Sequence, residues 1–179
     1  RCHDNTTMLS NEVSDGPNFT LYNSPSWVLS TMYVLFGDVD NYLCDLSLNG
    51  TTQYGMMASA SSYAYSLGTI ECWVKPTAYP SLNSWSGLVA KNYAFGLFIY
   101  NNAGNSRFTF YNFGSGNNVY GTTTPTLNTW YHVCLTFQSG ITNGSKLYVN
   151  GVLEVTGTMT VSDQTNPLRI GLNGVGQYL

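Results

Sequence analysis

From Phe19 onward the chain is a succession of short apolar runs, each closed by a turn signal. The runs read FTLY, WVLSTMYVLF, YLCDLSL, TIECWVKP, SGLVAK, FGLFIY, RFTFYNF, WYHVCLTF, KLYV, VLEVTG and LRIGL. Between them stand Asn-Gly, Ser-Gly, Asn-Asn, Pro and Thr-rich links, which favour turns. No stretch repeats its apolar residues at the spacing of an amphipathic helix. Strands that follow one another closely without a helical crossover pair antiparallel, so the chain reads as an all-β sandwich, jelly roll or barrel. No internal repeat and no linker breaks the series, and 179 residues suit one domain with a buried core. Residues 1–18 are polar and read as an irregular lead-in; residues 19–179 read as the β domain.

The sharpest local signal is KLYVNGVLEVTG, residues 146–157. A two-residue type I′ turn needs positive φ at both central positions, which Gly151 adopts freely and Asn150 tolerates. That turn sets Val149 opposite Val152 and Tyr148 opposite Leu153, pairs suited to a pleated surface. Alternation assigns faces elsewhere. In 69–75, Ile70, Cys72 and Val74 share one side, with Glu71, Trp73 and Lys75 on the other. In 130–137, Tyr131, Val133, Leu135 and Phe137 oppose Trp130, His132, Cys134 and Thr136. Large groups on both sides suggest central strands of a two-sheet sandwich whose outer face is partly covered.

Charge narrows the class of partner. Charged residues make up 8% of the chain, against roughly 25% in a typical soluble domain. Six Lys plus Arg against nine Asp plus Glu leave no basic stripe, which argues against nucleic acid. A surface solvated by neutral polar groups points to an extracellular, cell-surface or virion setting. No apolar run reaches the ~20 residues of a membrane span. The start at Arg1 shows no basic-then-apolar leader, and a mature or clipped product is expected. Cys2, Cys44, Cys72 and Cys134 contain no CxxC pair, so neither a zinc site nor a redox motif is indicated. Cys72 and Cys134 lie in strand-like runs and read as buried free thiols; a bridge between Cys2 and Cys44 stays open. The sequons at Asn5, Asn18, Asn49 and Asn143 number about what chance gives in a chain so rich in Asn, Ser and Thr.

Taken in order, LSLNGTTQY, TIECWVKP, SGLVAK, FGLFIYNN, NTWYHVCLTF, KLYVNGVLEVTG and NPLRIGL resemble the laminin G-like, concanavalin A-like domains from about residue 45 to 172. The resemblance implies a two-sheet antiparallel jelly-roll sandwich of about a dozen strands. It further implies a glycan, at times with calcium, at the concave face or the loop-bearing rim. Three departures stand out. The family continues past "IG" through one more strand, whereas here GVGQYL ends the chain. A longer protein is therefore expected, or a partner or the N-terminal segment in that slot. The acidic pair of the family's "FDGVDDY" strand is LNGTTQY here, which leaves calcium with Asp38, Asp40 and Asp45 as its weak candidates. Cys replaces the usual Ala at 72 and 134.

Chemistry finds little support. Glycoside hydrolysis needs two carboxylates about 5 to 10 Å apart across the scissile bond. No E-x-D-x-x-E stretch occurs, although Glu71 and Glu154 remain able to approach across a sheet. His132 beside Cys134 has no acid near in sequence to orient it and reads as a packed, hydrogen-bonded histidine. The expected role is a non-catalytic recognition or adhesion module that binds a glycan or protein surface. The alternatives are a structural part of a virion or other assembly beside neighbouring subunits, and a glycoside hydrolase. Candidate ligand-binding rings are Trp85, Tyr93, Tyr100, Tyr111 and Tyr120, at predicted loops or strand ends where they can stack on sugars beside Asn amides.

Overall fold

The computed structural model describes residues 8–9, 19–29, 44–58, 65–162 and 165–172. Every regular element among them is a strand. In chain order they are β1 (Met8–Leu9), β2 (Phe19–Tyr22), β3 (Ser26–Leu29), β4 (Cys44–Ser47), β5 (Tyr54–Met57), β6 (Leu67–Val74) and β7 (Trp85–Lys91). There follow β8 (Phe95–Asn102), β9 (Asn105–Asn112), β10 (Asn117–Tyr120), β11 (Tyr131–Gln138), β12 (Ser145–Val149), β13 (Val152–Gly157) and β14 (Leu168–Ile170). An eight-stranded sheet runs β1-β2-β5-β14-β7-β8-β9-β10, a four-stranded sheet runs β13-β12-β11-β6, and β3-β4 form a separate pair. All pairings are antiparallel. The two sheets make the all-β jelly-roll sandwich expected from the runs and their turns.

The core lies between the sheets. Leu97, Ile99, Phe108 and Phe110 from β8 and β9 meet Val133, Leu135 and Leu147 from β11 and β12, all fully buried. Each such side chain contributes on the order of 1.5–3 kcal/mol by leaving water. Alternation along β11 is as read: Tyr131, Val133, Leu135 and Phe137 point inward, while His132, Cys134 and Thr136 point out. β6 keeps Cys72 opposite Val133 and Trp73 opposite His132. Its position differs from expectation, because β6 is the outer strand of its sheet among the described residues. Trp73 accordingly stands 67% exposed rather than partly covered.

The Asn150-Gly151 turn has φ of 50° and 79°, the two positive values of type I′. It sets Val149 opposite Val152 and Tyr148 opposite Leu153. A bulge follows, since Leu147 pairs with Val155 and Glu154 becomes the extra residue. A second bulge lies in β7, where Gly87 pairs with Phe98 but Val89 pairs with Leu97. Leu88 is the extra residue there and packs into the core. Three strands lie outside the runs recognised in the sequence. β1 falls within the polar lead-in and pairs with β2. β5 (YGMM) and β10 (NNVY) are too short and too rich in Gly or Asn to signal alone, and are held by neighbours on the sheet.

Candidate functional site

The outward face of the eight-stranded sheet follows from register. Phe95, Leu97 and Ile99 of β8 point into the core, so Gly96, Phe98 and Tyr100 point away from it. Trp85 stands opposite Tyr100, and Tyr100 opposite Arg107. Tyr111 stands opposite Asn118, and Thr109 opposite Tyr120. Phe98 folds back along its strand, so that a Cβ added at Gly96 would sit 2.1 Å from its ring. Only glycine leaves room for that ring.

The five candidate rings form one chain of contacts on this side. Trp85 lies 5.0 Å from Tyr100 and 5.9 Å from Tyr111, centroid to centroid, and Tyr100 lies 5.8 Å from Tyr120. Tyr111 meets Phe113 at 4.9 Å, and Phe113 meets Tyr93 at 5.8 Å. Such separations suit offset and edge-on pairs, each worth about 0.5–1.5 kcal/mol beyond burial. Trp85, Tyr100, Tyr111 and Tyr120 are half-buried, and Tyr93 is exposed in a turn at φ 61°. Trp85 Nε1 donates to Asn118 Oδ1 at 2.9 Å. To reach from β7 to β10 the indole must cross β8 and β9. Phe98 and Thr109, buried though outside the main core, lie in the rows it spans. The result is a floor of rings fixed by packing and one hydrogen bond, with ring surface left open to solvent.

Arg107 adds a cation to this face. Its Nε is shielded from solvent and has no hydrogen-bond partner, an arrangement costing about 1–3 kcal/mol or more when left unsatisfied. Sequence reading missed Arg107, Asn118 and Phe113. They join the rings only through hairpin pairing, although a register count from Tyr100 would have found Arg107.

Trp85 also borders a cleft of about 740 Å³ at the rim. Asp45, Asn49, Trp73, Tyr79 and Trp130 are among the residues that line it. Asn49 holds its own wall together: Oδ1 accepts the N–H groups of Thr51, Thr52 and Gln53 at 3.1, 2.9 and 3.1 Å. Tyr79 donates to Pro125 O at 2.8 Å, and Lys75 Nζ sits 5.2 Å over the Trp130 ring.

The remaining candidates separate. Asp38, Asp40 and Cys2 lie outside the described residues, as does the side chain of Cys44. Asp45 lines the cleft, and among the described residues no three His, Cys, Asp or Glu side chains come together as a metal site. Cys72 and Cys134 are free thiols. Cys72 packs against the core, but Cys134 faces outward, so only one of the two behaves as the inward apolar residue expected of both.

Glu71 and Glu154 sit on β6 and β13, three strand spacings apart, or about 14 Å, too far to flank one glycosidic bond. Glu154 is committed elsewhere: Oε2 accepts from Thr122 N at 2.9 Å and Thr123 N at 3.2 Å, and Oε1 accepts from the Thr123 hydroxyl. The acid that sequence did not place beside His132 is Glu71, one strand away, with Oε2 3.3 Å from Nε2. Burial and then Glu71 push the Cys134 thiol above its ordinary value, the reverse of what an activated thiolate needs.

The family model for the concanavalin A-like lectin/glucanases superfamily matches residues 49–178. A comparison with curated protein sequences returned no match. Among solved structures, one similar fold is domain 4 of AbnA, a GH43 extracellular arabinanase from Geobacillus stearothermophilus, in complex with arabinotriose. It has 16% identity and a TM-score of 0.56 over 87% of this chain and 69% of that one. Another is the binding domain of Paraclostridial Mosquitocidal Protein 1, with 13% identity and a TM-score of 0.55 over 88% of this chain. This chain spans 40% of that second structure. With its sandwich of antiparallel sheets and a match over most of its length, the chain belongs to the concanavalin A-like lectin/glucanase superfamily.

Proposed function

We propose that this domain is a non-catalytic carbohydrate-binding module that takes its glycan on the outward face of the eight-stranded sheet. The observation that carries this reading is the contiguous set Trp85, Tyr100, Tyr111 and Tyr120, half-exposed on one face beside the Asn118 amide. Ring faces stack on the C–H faces of sugars, and amides satisfy hydroxyls. The arabinotriose-bound domain and the binding domain of the mosquitocidal protein, both parts of larger proteins, support a binding role. The separation of Glu71 from Glu154 removes the one carboxylate pair considered for hydrolysis. The setting that fits is an extracellular or surface-exposed protein.

Titration calorimetry against a panel of oligosaccharides, arabinotriose included, tests the reading. Binding to at least one member, lost in Tyr100→Ala with the fold intact by circular dichroism, is expected. Absence of binding across the panel would sink it. A role in an assembly is the second reading, favoured by Trp73, Val152 and Leu153 standing exposed on the strands of the smaller sheet. A concentration-dependent rise in mass by light scattering would support that alternative.

A further inference from the structure

We infer that the glycan taken by this face is anionic: a carboxylate-bearing sugar, held by Arg107 at one corner of the ring cluster and by Arg169 at the opposite one. The inference rests on the carbohydrate-binding reading and adds the charge of the ligand. Arg107 shares the outward face with Trp85 and Tyr100 through the register of β7, β8 and β9. Arg169 of β14 stands opposite Ala90, which stands opposite Gly96, so it lies on that same face. Both side chains are half-buried. Three strand spacings, about 14 Å, separate them across the sheet, and four residues of β8, about 13 Å, along it, with Trp85 and Tyr100 on the strands between.

Neither guanidinium is neutralised within the described residues. The described carboxylates are Asp45, Glu71 and Glu154, and none is on this face. Asp45 borders the rim cleft, Glu71 points out from the other sheet toward His132, and Glu154 is bound by Thr122 and Thr123. Arg107 Nε is shielded from solvent without a partner. Among the described residues, a chain of net charge −3 thus presents cations alone on its ring-lined face. The shape of those cations narrows the ligand further. A guanidinium offers two parallel N–H donors that match a carboxylate. Two well-separated guanidinia suit single carboxylates along a chain of sugars better than a dense polyanion. The rings between them need an apolar C–H face, which a free small anion lacks.

The test measures affinity of the intact domain for oligogalacturonate, a hyaluronan tetrasaccharide and sialyllactose, each beside its carboxyl-reduced form. At least one acidic member should bind about tenfold tighter than its reduced partner. Arg107→Gln should remove that difference, Arg107→Lys should restore part of it, and Arg169→Gln should reduce it. Lys146→Gln on the other sheet removes the same charge and should change nothing, and near-ultraviolet circular dichroism reports whether each variant folds. Raising salt from about 50 to about 300 mM should weaken the acidic member only. Equal affinity for acidic and reduced forms, unchanged in Arg107→Gln, would overturn the inference and leave a neutral-glycan module. Binding to neither member of any pair, nor to the neutral panel, would overturn both.

Discussion

On the outward face of the four-stranded sheet, His132, Glu71 and Lys75 find partners within the fold, and Lys146 stands exposed to solvent. His132 Nε2 lies 3.3 Å from Glu71, the His132 ring lies 5.3 Å from Trp73, and Lys75 sits over Trp130. On the outward face of the eight-stranded sheet, the rings contact one another while Arg107 keeps a shielded donor unpaired. Both faces carry tryptophan beside a cation, so composition does not distinguish them. The difference is that one face holds an unpaired donor away from water, whereas the unpaired cation of the other stands in it. Groups that satisfy each other in the folded chain have little left to offer a ligand, whereas an unsatisfied donor beside open ring surface gains when one arrives.

Four tests bear on that contrast. The largest effect belongs to what the two faces share. Phe108 is fully buried and its ring lies 5.4 Å from Tyr131 across the sandwich. Phe108→Ala should cost about 3–5 kcal/mol, and thermal melts should show both sheets unfolding in one shifted transition. Separate transitions would mean the faces do not belong to one cooperative unit. Next is the contrast itself. Trp85→Ala should weaken glycan binding by about 2 kcal/mol, roughly 30-fold. Leu153→Ala, on the opposite sheet, should leave affinity unchanged, and equal losses would erase the distinction.

A smaller effect separates the cysteines. Burial, followed by the charges of Cys134 and Glu71, pushes the Cys72 thiol from 9.0 up to about 11. The folded state therefore keeps this proton longer than the unfolded chain does. Its contribution is fully present below pH 9 and is lost as pH rises through about 11. Urea melts of wild type and Cys72→Ala, compared at about pH 8 and pH 10.5, should show the wild type losing more stability at the higher pH. A parallel decline would place the thiol in contact with solvent. The smallest effect is the ion pair: Glu71 is 62% exposed, so His132→Gln should change stability by no more than about 0.5 kcal/mol. A loss several times larger would show that this face depends on its pairing more than its exposure suggests.

Much of this was legible before any coordinates. The Asn150-Gly151 turn and the two-faced runs 69–75 and 130–137 follow from φ preference and period-two alternation, and all three are as read. The five candidate rings could be named individually, because aromatic residues near strand ends are visible in a sequence. Their union could not, since Trp85, Tyr100, Tyr111 and Tyr120 meet only after three successive hairpins fold. Glu154 illustrates the other limit. A glutamate in VLEVTG reads as one of a carboxylate pair until a bulge turns it toward Thr122 and Thr123, more than thirty residues earlier in the chain. Bulges shift phase without changing composition, and alternation rules cannot register them.

The bulge at Leu88 has a consequence for how such a domain can change over generations. Ala90 faces outward, and strict alternation from it would send Trp85 into the core and bring Ser86 out. The bulge absorbs the one supernumerary residue and so keeps Trp85 on the ring-lined side. Point changes in β7 would adjust that surface by degrees. The loss of the single codon for Leu88 would instead remove the bulge, keep Trp85 opposite Tyr100 and Val89 opposite Leu97, and take one leucine from the core. Such a module is open to gradual retuning by substitution, and a one-residue loss at the bulge would cost it stability while leaving its rings on the same face.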